Sequence, residues 1–225
     1  MTVTASNVRT ADPRYRPLYT LTEVSRYARV TLGTLRAWSA PGERPLIAMA
    51  DADSRSPFSF VNLIEAHVLV ALRRAHGVSL SRIRTAVGWL AEKHGTAHPL
   101  AELDLETDGR GVFLRLGATP VDASAGGQAA FPEIVDLYLT RIERDEHGLP
   151  QRFFPFPYDA CPKTIVMDPA VAFGRPVVDG TRVATTMIFD RYSGGESLVD
   201  IAEDYGLEVS AVEEALRCEI ERRAA

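Results

Sequence analysis

The spacing of apolar residues along the chain predicts a run of short helices, broken by stretches of turn-forming residues. Leu21, Val24 and Ala28 share one helical face, and Val30, Leu35 and Trp38 close a second one directly after it. Each helix carries its own start signal. Thr20 and Glu23 stand at capping-box spacing with Tyr19 and Val24 placed as a hydrophobic staple, and Thr31 caps the next helix with Val30 facing Leu35. Two short helices around a tight turn are the expectation for Tyr19 to Trp38, a helix-turn-helix. Ser39 to Phe60 is rich in Pro, Gly, Ser and Asp; Leu46 to Met49 and Phe58 to Phe60 read as two short strands joined by Ala50 to Pro57, a wing. Helical spacing then returns over Val61 to Ala75, stopped by Gly77, and from Ser79 through Leu80, Ile83, Val87 and Leu90 to Gly95.

Beyond Pro99 the pattern changes. Leu103 and Leu105, then Val112, Leu114 and Leu116, alternate with polar residues around Asp108-Gly109, the signature of a hairpin. Gly117 to Gln128 reads as loop, Phe131 to Glu143 as a helix, and Phe153 to Pro157 as an apolar run that its prolines keep from being a central strand. Thr164 to Met167 is a short strand. Asp179-Gly180 marks a turn between β-favouring flanks, and three helices follow. Thr185 to Tyr192 is the first, Ser197 caps the second, which Gly206 ends, and Ser210 with Glu213 offers a capping box to the third, whose expected core face is Val212, Ala215, Leu216 and Ile220.

Composition adds a class, and charge adds a division. The 225 residues are 46% hydrophobic and 24% charged, ordinary for a globular chain with a buried core. No apolar run approaches a membrane span, the N-terminus lacks a secretion signal, and the two cysteines, Cys161 and Cys218, have no metal-like spacing. A soluble, cytoplasmic protein is expected. The net charge of −5 hides an asymmetry. Residues 1–100 hold 13 Lys+Arg and 7 Asp+Glu, giving +6, whereas residues 101–225 hold 12 and 23, giving −11. A basic front suits an anionic polymer; an acidic back suits a different partner.

The chemistry follows that division. The outward face of the second helix carries Gly33, Thr34, Arg36 and Ala37 behind the Thr31 cap, small or cationic residues at a helix N-terminus, which suits a phosphate backbone and a groove. Arg44 and Arg55 flank the expected wing; Arg36 could alternatively pair with Glu23. The Ser197 to Arg223 pair also has a helix-turn-helix outline, but Glu208, Glu213 and Glu214 around its last helix would repel phosphates, so protein contact is the expected use. There is no H-E-x-x-H, G-x-S-x-G or P-loop motif, and the histidines are dispersed. The sequence implies no enzyme, metal or cofactor.

Two resemblances sharpen this. Thr34-Leu35-Arg36-x-Trp38, a wing region and the pair containing His76-Gly77-Val78-Ser79-Leu80-Ser81-Arg82-Ile83 resemble the winged helix of the MerR family over about Leu18 to Glu92. That likeness implies DNA contact by Thr31, Gly33, Thr34 and Arg36, with Arg44 and Arg55 on flanking backbone. Ser56-Pro57-Phe58-Ser59-Phe60 replaces the usual Arg-x-Tyr of the wing. The long dimerising helix that normally follows is cut off by Pro99, which moves the expected dimer contact to the connector or the acidic end. Thr164 to Leu216 resembles a bacterial domain of unknown function, family 433, through Gly174-x-Pro176-Val177-x-x-Gly180-Thr181-Arg182-Val183 and the tyrosine-glycine-leucine turn at Tyr205 to Leu207. That family is read as an antitoxin module beside PIN-like ribonuclease toxins, and the combination looks like a VapB-type antitoxin.

The expected fold is therefore α+β, mainly α. A lead-in spans 1–17, a MerR-like winged helix-turn-helix 18–98, a hairpin-containing connector 99–160, and a small β-hairpin plus three-helix antitoxin domain 161–225. The resemblance implies an antitoxin that represses its own operon: operator DNA for the front, a cognate PIN-like toxin for the back, a homodimer, and association with the nucleoid when bound to the operator. On chemistry alone, Arg175 and Arg182 are candidate contacts to the toxin's acidic metal site, or else residues that hold the hairpin. The alternative is a MerR-like regulator whose back half forms a small-molecule pocket lined by Phe153, Phe154, Phe156 and Tyr158.

Overall fold

The structure, a computed structural model, describes residues 12–42, 45–75, 77–103, 105–107, 112–116, 119–122, 128–129, 141–155 and 163–224. It is α+β and mainly helical, and it divides into two compact units, Met1–Pro150 and Gln151–Ala225.

In the N-terminal unit the first two helices form as their caps dictate. α1 (Leu21–Tyr27) starts at the Thr20–Glu23 capping box, with Thr20 N–H donating to Glu23 Oε2 at 2.8 Å. α2 (Leu32–Ser39) starts at Thr31, and Val24 and Leu35 are fully buried between the helices. The turn joining them has Arg29 in the left-handed region, φ 54°. A non-glycine residue costs about 1 kcal/mol there, and two side chains hold the turn. Ser25 Oγ donates to the Val30 carbonyl at 2.5 Å, and Arg74 Nη1 donates to the Arg29 carbonyl at 2.8 Å.

The wing is a correction to the sequence reading. Leu46 to Met49 forms no strand. Leu46 and Ile47 N–H both donate to the Trp38 carbonyl, Ala50 and Asp51 N–H both donate to the Pro57 carbonyl, and Phe58 makes a lone antiparallel bridge to Tyr19. The consecutive residues Leu46 and Ile47 are both buried, at 3% and 0% exposure, as is Phe58 at 0%, so core burial overrides the alternation a strand would show. Phe60 opens α3 (Phe60–Val70) behind the Ser59 cap, and the helix continues as a π-helical turn, Ala71–Ala75. α4 (Leu80–His94) runs from its Ser79 cap to a left-handed Gly95, and a short α5 (Pro99–Glu102) packs on α3 and α4.

A four-stranded antiparallel meander follows: β1 (Leu105–Thr107), β2 (Val112–Leu116), β3 (Thr119–Asp122) and β4 (Gln128–Ala129), with Leu105 opposite Leu114 and Leu114 opposite Val121. The expected hairpin strands are β1 and β2, while Gly117 to Gln128, read as loop, supplies β3. The alternation that marks a strand is missing from Thr119-Pro120-Val121-Asp122, and the neighbouring strand's backbone makes up for it. Of the helix expected at Phe131 to Glu143, residues 131–140 lie outside the described residues, and its end is extended instead, in β5 (Ile142–Arg144). The Asp12–Arg16 stretch of the lead-in is a 3-10 turn. Its Arg14 is engaged by Asp12 and by Asp145 at 2.5 Å.

β6 (Pro150–Phe153) straddles the division. In the C-terminal unit β7 (Ile165–Val166) pairs antiparallel with β8 (Val177–Val178), and α6 (Thr185–Ser193), α7 (Leu198–Tyr205) and α8 (Val209–Ala224) pack over them. Ile165, Val178, Ile188, Ile201, Val212 and Ala215 form the core. Phe153 and Phe154 are 0% and 2% exposed, so these two aromatics are core rather than the lining of a ligand pocket; Phe156 and Tyr158 lie outside the described residues. α8 begins at Val209, with Ala211 and Val212 N–H donating to the Glu208 carbonyl, so Ser210 sits inside the first turn and cannot act as its cap. Ile220, expected inward, is 56% exposed. Its neighbour Glu219 is inward instead, fully buried, accepting from Thr185 Oγ1 at 2.6 Å and from Arg222 Nε at 2.9 Å. A paired, fully hydrogen-bonded carboxylate can occupy a core position that a periodicity count gives to isoleucine.

Candidate functional site

Among the described residues, each unit has a surface whose chemistry folding does not consume. The first is the N-terminal turn of α2. Burial of Leu35 and Trp38 fixes the helix by one face, leaving Thr31, Gly33, Arg36 and Ala37 exposed and Thr34 half-exposed. Thr31 Oγ1 accepts from Thr34 N–H at 3.3 Å and lies 2.9 Å from Thr34 Oγ1, so one hydroxyl hydrogen of the pair is still available to a ligand. Arg36 has no ion-pair partner among the described residues. Glu23, the alternative partner, has its carboxylate turned back onto Thr20. Thr31, Gly33, Thr34 and Arg36 are thus together on one helix. Arg55 is exposed on the Ala50–Pro57 loop, and Arg44 lies outside the described residues.

The second surface surrounds the Asp179-Gly180 turn. Gly180 has φ 74°, which a side chain would strain, and Asp179 Oδ1 accepts its N–H at 2.7 Å while also pairing with Arg152. Thr181 Oγ1 donates to the Val178 carbonyl at 2.7 Å and accepts from Val183 N–H at 3.1 Å. Gly174 and Pro176 are buried, and the Pro176 carbonyl accepts from Thr185 N–H at 3.0 Å. Most of the glycine-proline-valine, glycine-threonine-arginine pattern therefore builds the turn and joins it to α6. Arg182 is the member left over: exposed, with no ion pair among the described residues, it lines a shallow cavity of about 530 Å³ together with Arg152, Asp168 and Asp179 over Val166 and Val177. Arg175 is exposed as well, outside that cavity.

One residue of this surface escapes sequence reasoning. Phe173 is 80% exposed on a short 3-10 turn in which Ala172, Phe173 and Gly174 are all left-handed, at φ 46°, 56° and 71°. Two successive non-glycine residues in that region hold the ring out of the core. Its apolar neighbours at strand and helix spacing, Val171 and Val177, point to burial instead, so the sequence gives no local hint of its exposure.

Two further titratable groups of this unit are tied into the fold. Arg191 is hydrogen-bonded to Glu196 and to Asp204, which raises its pKa further, and it stacks 5.1 Å from the Tyr205 ring. Burial pushes the Cys218 thiol up to about 12, so it is neither a nucleophile nor a ready ligand at neutral pH. Among the described residues no group of histidine, cysteine and acidic side chains could hold a metal ion, and no helix is long and apolar enough to cross a membrane.

Comparison with known proteins places these two surfaces in context. Residues 165–217 match the family described as "Protein of unknown function (DUF433)". Across both units the chain is 34% identical over 226 residues to "Putative antitoxin VapB45" of Mycobacterium tuberculosis, covering 89% of this chain and 92% of that one. It is 26% identical over 215 residues to "Uncharacterized protein Rv2308" of the same organism, covering 89% of each. Among solved structures, the crystal structure of Rv2018 from Mycobacterium tuberculosis superimposes with a TM-score of 0.68 at 31% identity, covering 89% of this chain and 97% of that one. The class is a two-unit, antitoxin-type protein ending in that family of unknown function. Within it, the chain belongs to the family of the VapB45 protein.

Proposed function

We propose that this protein is the antitoxin of a toxin–antitoxin pair. Its N-terminal unit binds operator DNA as a homodimer through the first turn of α2, and its C-terminal unit docks on a PIN-like ribonuclease toxin through the surface bearing Phe173, Arg175 and Arg182. The observation that carries this reading is the match to an antitoxin-type relative along 92% of that relative's length, spanning both units rather than the C-terminal family alone. The exposed, unpaired Arg36 beside a free hydroxyl at a helix N-terminus supports major-groove contact. An exposed aromatic flanked by uncommitted arginines has the composition of an interface hot spot. The acidic balance of residues 101–225 suits a toxin whose RNA groove is positive, and favours fast association.

Co-expression with the product of the adjacent gene tests both arms. The complex should co-purify, the toxin's growth arrest should be relieved, and the complex should shift a fragment of its own promoter. Replacing Arg175 and Arg182 together should abolish relief of growth arrest and leave the promoter shift intact. A chain that neither captures the neighbouring product nor relieves its toxicity would overturn the antitoxin reading.

A further inference from the structure

The N-terminal unit has a groove of about 690 Å³ that the two surfaces above do not use. Pro45, Leu46 and Ala48 of the loop after α2 line it, and so do Val87, Gly88 and Ala91 of α4, with Arg84 and Glu92 on the same helix. Its apolar lining is small-sided, and its two charged residues are exposed with no ion-pair partner among the described residues.

Their positions are what specify the occupant. Arg84 lies four residues before Gly88 and Glu92 four residues after it, so along the helix each charge stands about 6 Å from Gly88, on opposite sides. A second α4 crossing antiparallel, with a two-fold axis at Gly88, sets each Arg84 against the other copy's Glu92. An isologous contact requires that self-complementarity, since each residue pair must occur twice. Gly88 has no side chain at the crossing point, and helix axes can approach to the short end of the usual 8–10 Å range there. A parallel crossing would instead oppose like charges, so the groove also selects the orientation.

We propose that α4 is the dimer interface of this protein, its groove being filled by α4 of a second copy with reciprocal Arg84–Glu92 pairs flanking a Gly88–Gly88 crossing. This deepens the homodimer reading proposed above and moves the contact from the connector or the acidic end, where the sequence places it, to the DNA-binding unit itself.

A charge exchange read by sedimentation velocity tests it. The parent chain sediments as a dimer. Arg84→Glu and Glu92→Arg each place two like-charged pairs across the crossing and weaken self-association at least tenfold. Both positions are exposed, so both variants keep the parent's helical circular dichroism. Mixing the two variants restores dimers, now strictly mixed, and the double variant R84E/E92R restores a homodimer. A monomeric parent, single variants as dimeric as the parent, or a mixture that fails to reassociate overturns the proposal. Binding of each species to a half-site duplex is measured alongside. Variants that stay dimeric and bind DNA remove this interface but leave the operator reading standing. Dimers that behave as proposed but bind no duplex remove the operator reading alone.

Discussion

The two units of this chain differ in where the fold leaves arginines uncommitted. In the acidic unit Arg152 pairs with Asp179, Arg191 with Glu196 and Asp204, Arg217 with Glu214, and Arg222 with the buried Glu219. What remains exposed and unpaired is narrow: Arg175 and Arg182, beside the outward Phe173. In the N-terminal unit Arg14, Arg73 and Arg74 are spent on the lead-in and on holding carbonyls, while Arg36, Arg55 and Arg84 are exposed with no ion-pair partner among the described residues. The uncommitted residues, more than the net charge of either unit, mark where a partner can bind.

Four substitutions test that contrast. The largest effect is expected where a charge is built into the C-terminal core: Glu219→Ala removes the acceptor shared by Thr185 and Arg222, and should cost about 3 kcal/mol of that unit's stability, seen as a separate, earlier thermal transition. A single, earlier transition of the whole chain would mean that the two units unfold together. Next, Phe173→Ala should weaken toxin binding about thirtyfold, near the 2 kcal/mol of a hot-spot aromatic, while leaving the melting temperature unchanged because the ring is 80% exposed. Calorimetric titration that gives the same affinity for both proteins would move the docking surface elsewhere. Arg36→Ala should weaken operator binding about tenfold and lower the salt slope by roughly one, with toxin binding untouched; a gel-shift series over ionic strength reads both.

The smallest effect is a pH dependence confined to the N-terminal unit. Glu65 on α3 is fully buried, with Asn62 Nδ2 and His98 Nδ1 at 3.1 and 3.2 Å from its Oε2, and Glu102 adding a like charge. Burial, the leading cause, raises its pKa above the ordinary 4.5. The folded state therefore holds a proton that the unfolded state gives up, and stability should fall as pH rises from about 4.5 through the raised value. Denaturant midpoints across that range should slope downward for the parent and run flat for Glu65→Gln. A parent with no slope would mean that His98 and Asn62 compensate the buried charge completely.

Much of the molecule is legible in the chain because local signals agree with tertiary need. The caps at Thr20, Thr31, Ser79 and Ser197 all form, since each satisfies backbone donors that any environment would leave orphaned. The Asp179-Gly180 turn forms because glycine accepts the left-handed backbone there and Asp179 Oδ1 accepts its N–H. The misreadings share a cause of the opposite kind. Leu46 to Phe58 looks like a hairpin by composition, yet its apolar residues are claimed by the core beneath α2. Ile220 has the spacing for burial, yet Thr185 and Arg222 from two helices make Glu219 the better tenant. At the candidate sites, the helix face that bears Arg36 could be read from periodicity, because Leu35 and Trp38 fix it from the other side. The outward Phe173 could not, because its direction comes from backbone angles that no side-chain pattern encodes.

The left-handed turn at Ala172–Phe173–Gly174 has a consequence for time as well as for place. In the proposed docking, a ring already held out by its own backbone needs little ordering of the chain on encounter. Association should then be limited by diffusion and steering, with its rate tracking ionic strength. Any change in that turn should shorten the residence time of the complex, leaving the rate at which it forms nearly as it was.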